Sequence, residues 1–242
     1  FSPGFKITIK VRLMHAQVRR LLLQHQRWDL GAWGMPINQA YMAGTNALFA
    51  GMFINGLRKL GLRFNPSEEA DLVTLWRYAG KLIGVDDDLC PVTVSDGIRL
   101  LDLILAVQKQ PDEDAQALCR ALMEVPLSMA RNDAERMIAR SSTDFLYATS
   151  RYLLGDNHAA QLGYPRSRWR MAIPPIRASM GFMSMWQRLI PQNREMLEKA
   201  GIDVWEHFIV HGLKDIPATF QLPTQLANLS RMMGRPTVKD GE

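Results

Sequence analysis

Strict alternation of apolar and polar residues, the mark of a half-buried strand, is confined to Ile7-Thr8-Ile9. Elsewhere the apolar residues recur at helical spacing between short connections. Lys6 to Gln26 contains neither Pro nor Gly, and from Val11 onward Met14, Val18, Leu21 and Leu22 follow the period of a helix. Asn38, behind Pro36, is a predicted cap for a helix to about Lys59 that stops at Gly61. Asn65-Pro66-Ser67-Glu68 has the pattern of a helix start, and Gly84 that of its stop. Ser95 is the predicted cap of the next helix. Pro111 to Asp114, Asn132-x-x-Glu135, Pro174-Pro175 and Asp203-x-x-Glu206 open four more. Trp28 to Met35 and Asp156 to Trp169 are expected as loops, and a short helix is expected from Leu222 onward. The expectation is an all-α fold: residues 1–242 as a single helical domain of about nine helices.

The first helix carries an unusual neighbourhood. At roughly 100° per residue, with His15 as zero, Leu22, Val11 and Val18 fall on one flank. Arg12 and Arg19 fall on the other. Two nearby cations favour the neutral imidazole, which is the form a metal ion needs. Guanidinium groups one turn away on either side suit carboxylates. Haem, with an iron centre and carboxylate arms, would use all three. The competing reading is a core-edge histidine with two solvent-facing arginines.

VRLMHAQVRRLL, followed by W-x-x-x-x-W-G-M-P-I-N-Q, resembles the signature of the rubber oxygenase catalytic-domain family. That family includes the latex clearing proteins and fungal oxygenases of the mycophenolic-acid type. The resemblance runs on through Trp76 and Gly84, and more weakly into the IPQNREML stretch. It implies that His15 is the proximal ligand of a non-covalent haem b, with Arg12 and Arg19 supporting the site. It also implies a mainly helical, globin-like haem domain, with molecular oxygen and an apolar small-molecule or polymer substrate as partners. In the latex clearing proteins several helices precede this motif and carry distal groups over the haem. Here His15 stands close behind Phe1, and the chain is expected to lack those helices.

The remaining features narrow the field. A formal charge of +5 and a pI near 9.4 suit an anionic ligand or surface but fall short of a nucleic-acid arm. Ala40 to Leu57 is about long enough to span a bilayer. It holds Thr45, Asn46, Asn55 and three glycines, and is read as a buried helix rather than a membrane span. Gly44 and Gly51 share nearly one face of it, where a neighbouring helix or a flat cofactor could approach. A backbone carbonyl would satisfy Thr45. Cys90 and Cys119 form no C-x-x-C, and no C-x-x-C-H would attach haem covalently. Both are expected as buried thiols, consistent with a reducing compartment and a cytoplasmic location; no secretory signal is visible.

Three further groups are candidate sites. His207 and His211, four apart, could chelate a transition metal, but no third ligand stands out. Asp86-Asp87-Asp88 reads as a solvated turn rather than a calcium loop. Arg166-Ser-Arg168-Trp-Arg170 is the densest positive patch; it could meet phosphates, and a solvated surface is the plainer reading. The leading functional expectation is a haem-dependent oxidoreductase, an oxygenase acting on an apolar substrate. The alternatives are a haem-binding protein without turnover and a helical interaction module. The sequence names no catalytic acid or base, and oligomeric state is unreadable from it.

Overall fold

A computed structural model of the chain describes residues 2–24, 28–189, 196 and 198–206. Among them there is no strand, and the fold class is all-α as the periodicity requires. Among the described residues eleven α-helices are delimited up to Leu189, where about nine were expected for the whole chain. In order these are α1 (Pro3–Gln24), α2 (Leu30–Trp33), α3 (Gln39–Ala47), α4 (Phe53–Lys59), α5 (Pro66–Ile83), α6 (Val94–Val107), α7 (Glu113–Met123), α8 (Val125–Met129), α9 (Asp133–Leu154), α10 (Asp156–Gln161) and α11 (Ile173–Leu189). Several are single turns, too short for a periodic pattern to register. Ile7-Thr8-Ile9 lies within α1.

The caps are those the sequence announces, with instructive exceptions. The Asn38 side chain accepts from the Tyr41 N–H. Asn65 and Glu68 close a reciprocal capping box with Pro66 at the first helical position. Gly84 ends α5 in the left-handed region at φ 101°, which a residue with a Cβ would resist. Asp112 and Asn132 cap α7 and α9. Thr93, not Ser95, caps α6. The Thr93 hydroxyl and backbone pair with Asp96 and start the helix two residues early. Asp156 to Trp169 is not all loop: α10 occupies its first turn and a half, and Arg168–Ala172 forms a 3-10 turn. Residues 198–206 are helical, so Asp203 lies inside a helix rather than at its start.

The helices form two packed groups. In the first, α1 lies on α5, and α3, α5 and α6 surround the π-helical segment Leu48–Met52 that joins α3 to α4. Its core is built from Ala43, Val85 and Cys90 and from Ile54, Val73 and Val94. Gly51 and Gly97 allow this contact: a Cβ on Gly51 would stand 2.8 Å from the Gly97 carbonyl carbon. A Cβ on Gly44 would meet Ile104 of α6 at 3.1 Å. The small residues serve helix packing rather than a flat cofactor. In the second group α9 carries α7, α8 and α10, around Tyr147, Ala159 and Tyr164.

The groups meet at the end of α4. The Lys59 ammonium donates to the Leu153 carbonyl at 2.8 Å, and the Tyr152 hydroxyl donates to the Lys59 carbonyl at 3.1 Å. The Arg63 N–H donates to the Ser184 hydroxyl at 3.1 Å. No helix among the described residues is long and apolar enough to cross a membrane.

Candidate functional site

The fold brings His15 to one wall of a half-open cavity of about 500 Å3. Val11 stands one turn before it on α1. Opposite are Tyr41, Met42, Thr45 and Asn46 of α3, Phe49 of the π segment, and Trp76, Gly80 and Ile83 of α5. The volume lies in the range of small-molecule and cofactor sites. Phe49 and Trp76, both on its lining, stack face to face with ring centroids 4.1 Å apart. The extra residue of the π turn allows this: Ala50 and Gly51 are buried toward α6 while Phe49 is turned to the cavity.

His15 is half-buried, and its Nδ1 is shut off from solvent with no hydrogen-bond partner among the described residues. Burial, and after it the Arg19 guanidinium, pushes its pKa below the ordinary value. The ring is therefore neutral at physiological pH, with a lone pair available. It is not sunk among aliphatic side chains, and there is room beside it.

Arg12 and Arg19 do lie on the same helix side as predicted, but both reach backbone. Arg12 Nη1 donates to the Leu82 carbonyl at 3.3 Å, capping the C-terminal end of α5, and its guanidinium lies over Gly84. Arg19 Nε donates to the Pro36 carbonyl at 3.1 Å, and Nη2 donates to the Ile37 carbonyl. The two arginines tie the His15 helix to the loop before α3 and to the end of α5. The reading of two purely solvent-facing arginines does not hold.

Ile37 is a further member that the sequence did not flag. It lines the cavity with a φ of 51°, a conformation costly for a β-branched residue. Beyond Ile37 and Tyr41 lies a second hollow of about 900 Å3, lined in part by Trp28, Trp33 and Ile104. Thr45 donates to the Tyr41 carbonyl at 2.9 Å, as expected of a hydroxyl in an apolar run. Asn46 donates to the Trp76 carbonyl at 2.7 Å, while its Oδ1 is buried without a partner. Trp76 was legible on a helix and Asn46 as a polar residue in an apolar run, but no periodicity shows that they line one cavity with His15.

The other candidates resolve differently. Asp86 to Asp88 is a capped 3-10 turn, with Asp87 paired to Lys81 at 2.8 Å. Cys90 is buried, and burial pushes its thiol pKa up; Cys119 is only partly buried, and both are free. His207 and His211 lie outside the described residues. Among the described residues no three His, Cys, Asp or Glu side chains gather as a metal-binding set.

A helical chain with one neutral histidine over an apolar cavity, braced by two arginines, fits a cofactor that brings most of its own metal ligands. A neutral imidazole with an unpartnered nitrogen, a stacked aromatic pair and apolar lining are groups that could hold a flat macrocycle carrying its own metal. Residues 3–185 match the family model described as ER-bound oxygenase mpaB/B'/rubber oxygenase, catalytic domain, and the chain belongs to that family. A relative named rubber oxygenase, from Streptomyces sp. (strain K30), is 26% identical over 161 residues. The match covers 64% of this chain and 37% of the relative, so the chain spans well under half of that protein's length. No solved structure matches.

Proposed function

We propose that the chain is a haem-b-dependent oxygenase acting on an apolar substrate, with His15 as the proximal iron ligand. The observation that carries this reading is the neutral, unpartnered His15 ring on an apolar cavity of about 500 Å3. Family membership supports the oxygenase class. Residues 1–242 then act as a single oxygenase-like domain, with the globin-like arrangement as part of this reading.

His15 would hold the iron, and the Phe49–Trp76 pair with Val11 and Ile83 would pack the ring's apolar faces. Arg12 and Arg19 fix the height and tilt of α1 through their carbonyl bonds. Each guanidinium keeps further N–H donors, which carboxylate arms can use. Bound haem would supply redox-active iron for reaction with dioxygen. The protein's part is to orient the ring, exclude water and leave an apolar approach. The hollow beyond Ile37 and Tyr41, with Trp28 and Trp33 on its walls, suits an extended apolar substrate. The relative's name makes rubber the first polymer to assay.

The test is spectroscopic. Purified protein supplied with haem b should give a Soret band at one iron per chain, and His15→Ala should stay helical by circular dichroism but lose the band. An unchanged band in folded His15→Ala would sink the assignment. Dioxygen uptake with an apolar alkene separates turnover from simple haem binding. A protein that never takes up haem, and that unfolds as His15→Ala, is instead a helical interaction module.

A further inference from the structure

The Arg166 to Arg170 stretch is largely exposed, as a solvated surface would be, but two of its arginines border a hollow. Arg166 and Arg170 line a cavity of about 360 Å3 together with Arg151 of α9 and Arg177 of α11. These four arginines share the lining with one carboxylate residue, Asp156. Arg151 consumes that carboxylate, donating to Asp156 Oδ1 at 2.6 Å and to the Tyr164 carbonyl at 2.7 Å. Arg166 and Arg170 make no close ion pair among the described residues and act on Asp156 only at longer range, helping Arg151 to hold its carboxyl below the usual range; Arg177 lies 5.9 Å, by its guanidinium carbon, from the Tyr152 ring. Solvent screens the repulsion among these exposed cations, but like charges gathered in a concave site still raise the local concentration of anions. Arginine forks match phosphate oxygens two at a time.

The cavity continues into a mixed hollow. Pro174 and Arg177 also border this neighbouring space of about 570 Å3, which Arg58 and Arg63 line together with Leu62, Phe182 and Met185. Phe182 is 60% and Met185 46% exposed, so these two offer uncovered apolar surface beside the cations. We propose that this is a binding site for an anionic amphiphile, with a phosphate-class headgroup among Arg166, Arg170 and Arg177 and its apolar tail against Leu62, Phe182 and Met185. The site lies among α9, the Arg168–Ala172 turn, α11 and the end of α4, shares no lining residue with the His15 cavity, and does not depend on the oxygenase reading.

Calorimetric titration of the whole chain with octyl phosphate, below its micelle concentration, tests this beside inorganic phosphate. Octyl phosphate should bind saturably and about tenfold or more tighter than phosphate. Arg166→Gln with Arg170→Gln should weaken both by about tenfold or more, while Arg140→Gln on the exposed side of α9 changes neither. Phe182→Ser should weaken octyl phosphate alone. Flotation with phosphatidylcholine vesicles, with and without phosphatidic acid, separates the sources. Capture by the acidic vesicles that the arginine pair abolishes marks a bilayer headgroup; binding of octyl phosphate without capture marks a soluble amphiphile. Binding that ignores the arginine substitutions, or the absence of saturable binding in every arm, overturns the proposal. Circular dichroism of each variant confirms that a loss is not unfolding.

Discussion

Arg19 holds the carbonyl of Ile37, the one non-glycine residue with positive φ among those described. A β-branched side chain in that region costs about 1–2 kcal/mol, so the surrounding bonds must impose the conformation. Arg19 on one side and the Asn38 cap on the other do so. Arg19→Ala is therefore expected to cost about 1.5–3 kcal/mol, as a charged donor to backbone carbonyls. In an Ile37→Gly background, where the backbone is relaxed, the same change should cost about 1 kcal/mol less. Urea denaturation of the four proteins measures the coupling; strictly additive losses would contradict this account.

The Asn46 amide ties α3 to α5 beneath the cavity by its bond to the Trp76 carbonyl. Asn46→Ala loses that bond but also removes an unsatisfied acceptor, so the expected cost is small, about 1 kcal/mol. Asn46→Asp keeps the shape and aims a buried carboxylate at a carbonyl, and should cost about 3 kcal/mol or more. If the aspartate variant proves as stable as the alanine one, the side chain does not point as described.

Gly51 and Gly97 let the π segment touch α6, and a Cβ on Gly51 would meet backbone at 2.8 Å. Backbone cannot rotate away as a side-chain tip can. Gly51→Ala should lower stability by about 1–3 kcal/mol. At Gly4 nothing lies within 4 Å, so Gly4→Ala should be neutral or gain about 0.5–1 kcal/mol. Thermal melts of the two variants should shift in opposite directions or by clearly unequal amounts.

Burial above all, then a hydrogen bond to Cys119 and the charges of Cys119 and Tyr147, push the Tyr164 hydroxyl from 10.0 up to about 12. A phenol whose folded pKa is raised contributes stability that is fully present below pH 10 and is lost as pH rises toward 12. Tyr164→Phe should flatten the fall in stability between those values. An ultraviolet titration that finds every tyrosine ionised near pH 10 would refute the shift.

Much of this was readable in advance, for local reasons. Asn38, Asn65, Asp112 and Asn132 announce helix starts because each offers a side-chain acceptor to an N–H a few residues on. Ser95 misled because Thr93 offers the same chemistry with a better-placed partner, Asp96. The α10 turn was missed because six residues carry too little periodicity. On α1 the angles placed His15 between an apolar flank and two arginines, and the structure keeps them so. What those guanidinium groups touch could not be read, since Leu82, Pro36 and Ile37 come from other parts of the chain. The cavity walls are likewise a product of three helices meeting, which single-helix spacing cannot encode.

The wide turn at Leu48–Met52 has one more consequence. Its inner residues are locked against α6 at the glycine contact, while Phe49, one step away, forms part of the hollow beside His15. That side of the hollow cannot retreat without prising two backbones apart. Widening this hollow would therefore fall to the α1 and α5 sides, where Val11, Trp76 and Ile83 can be resized without moving a helix axis.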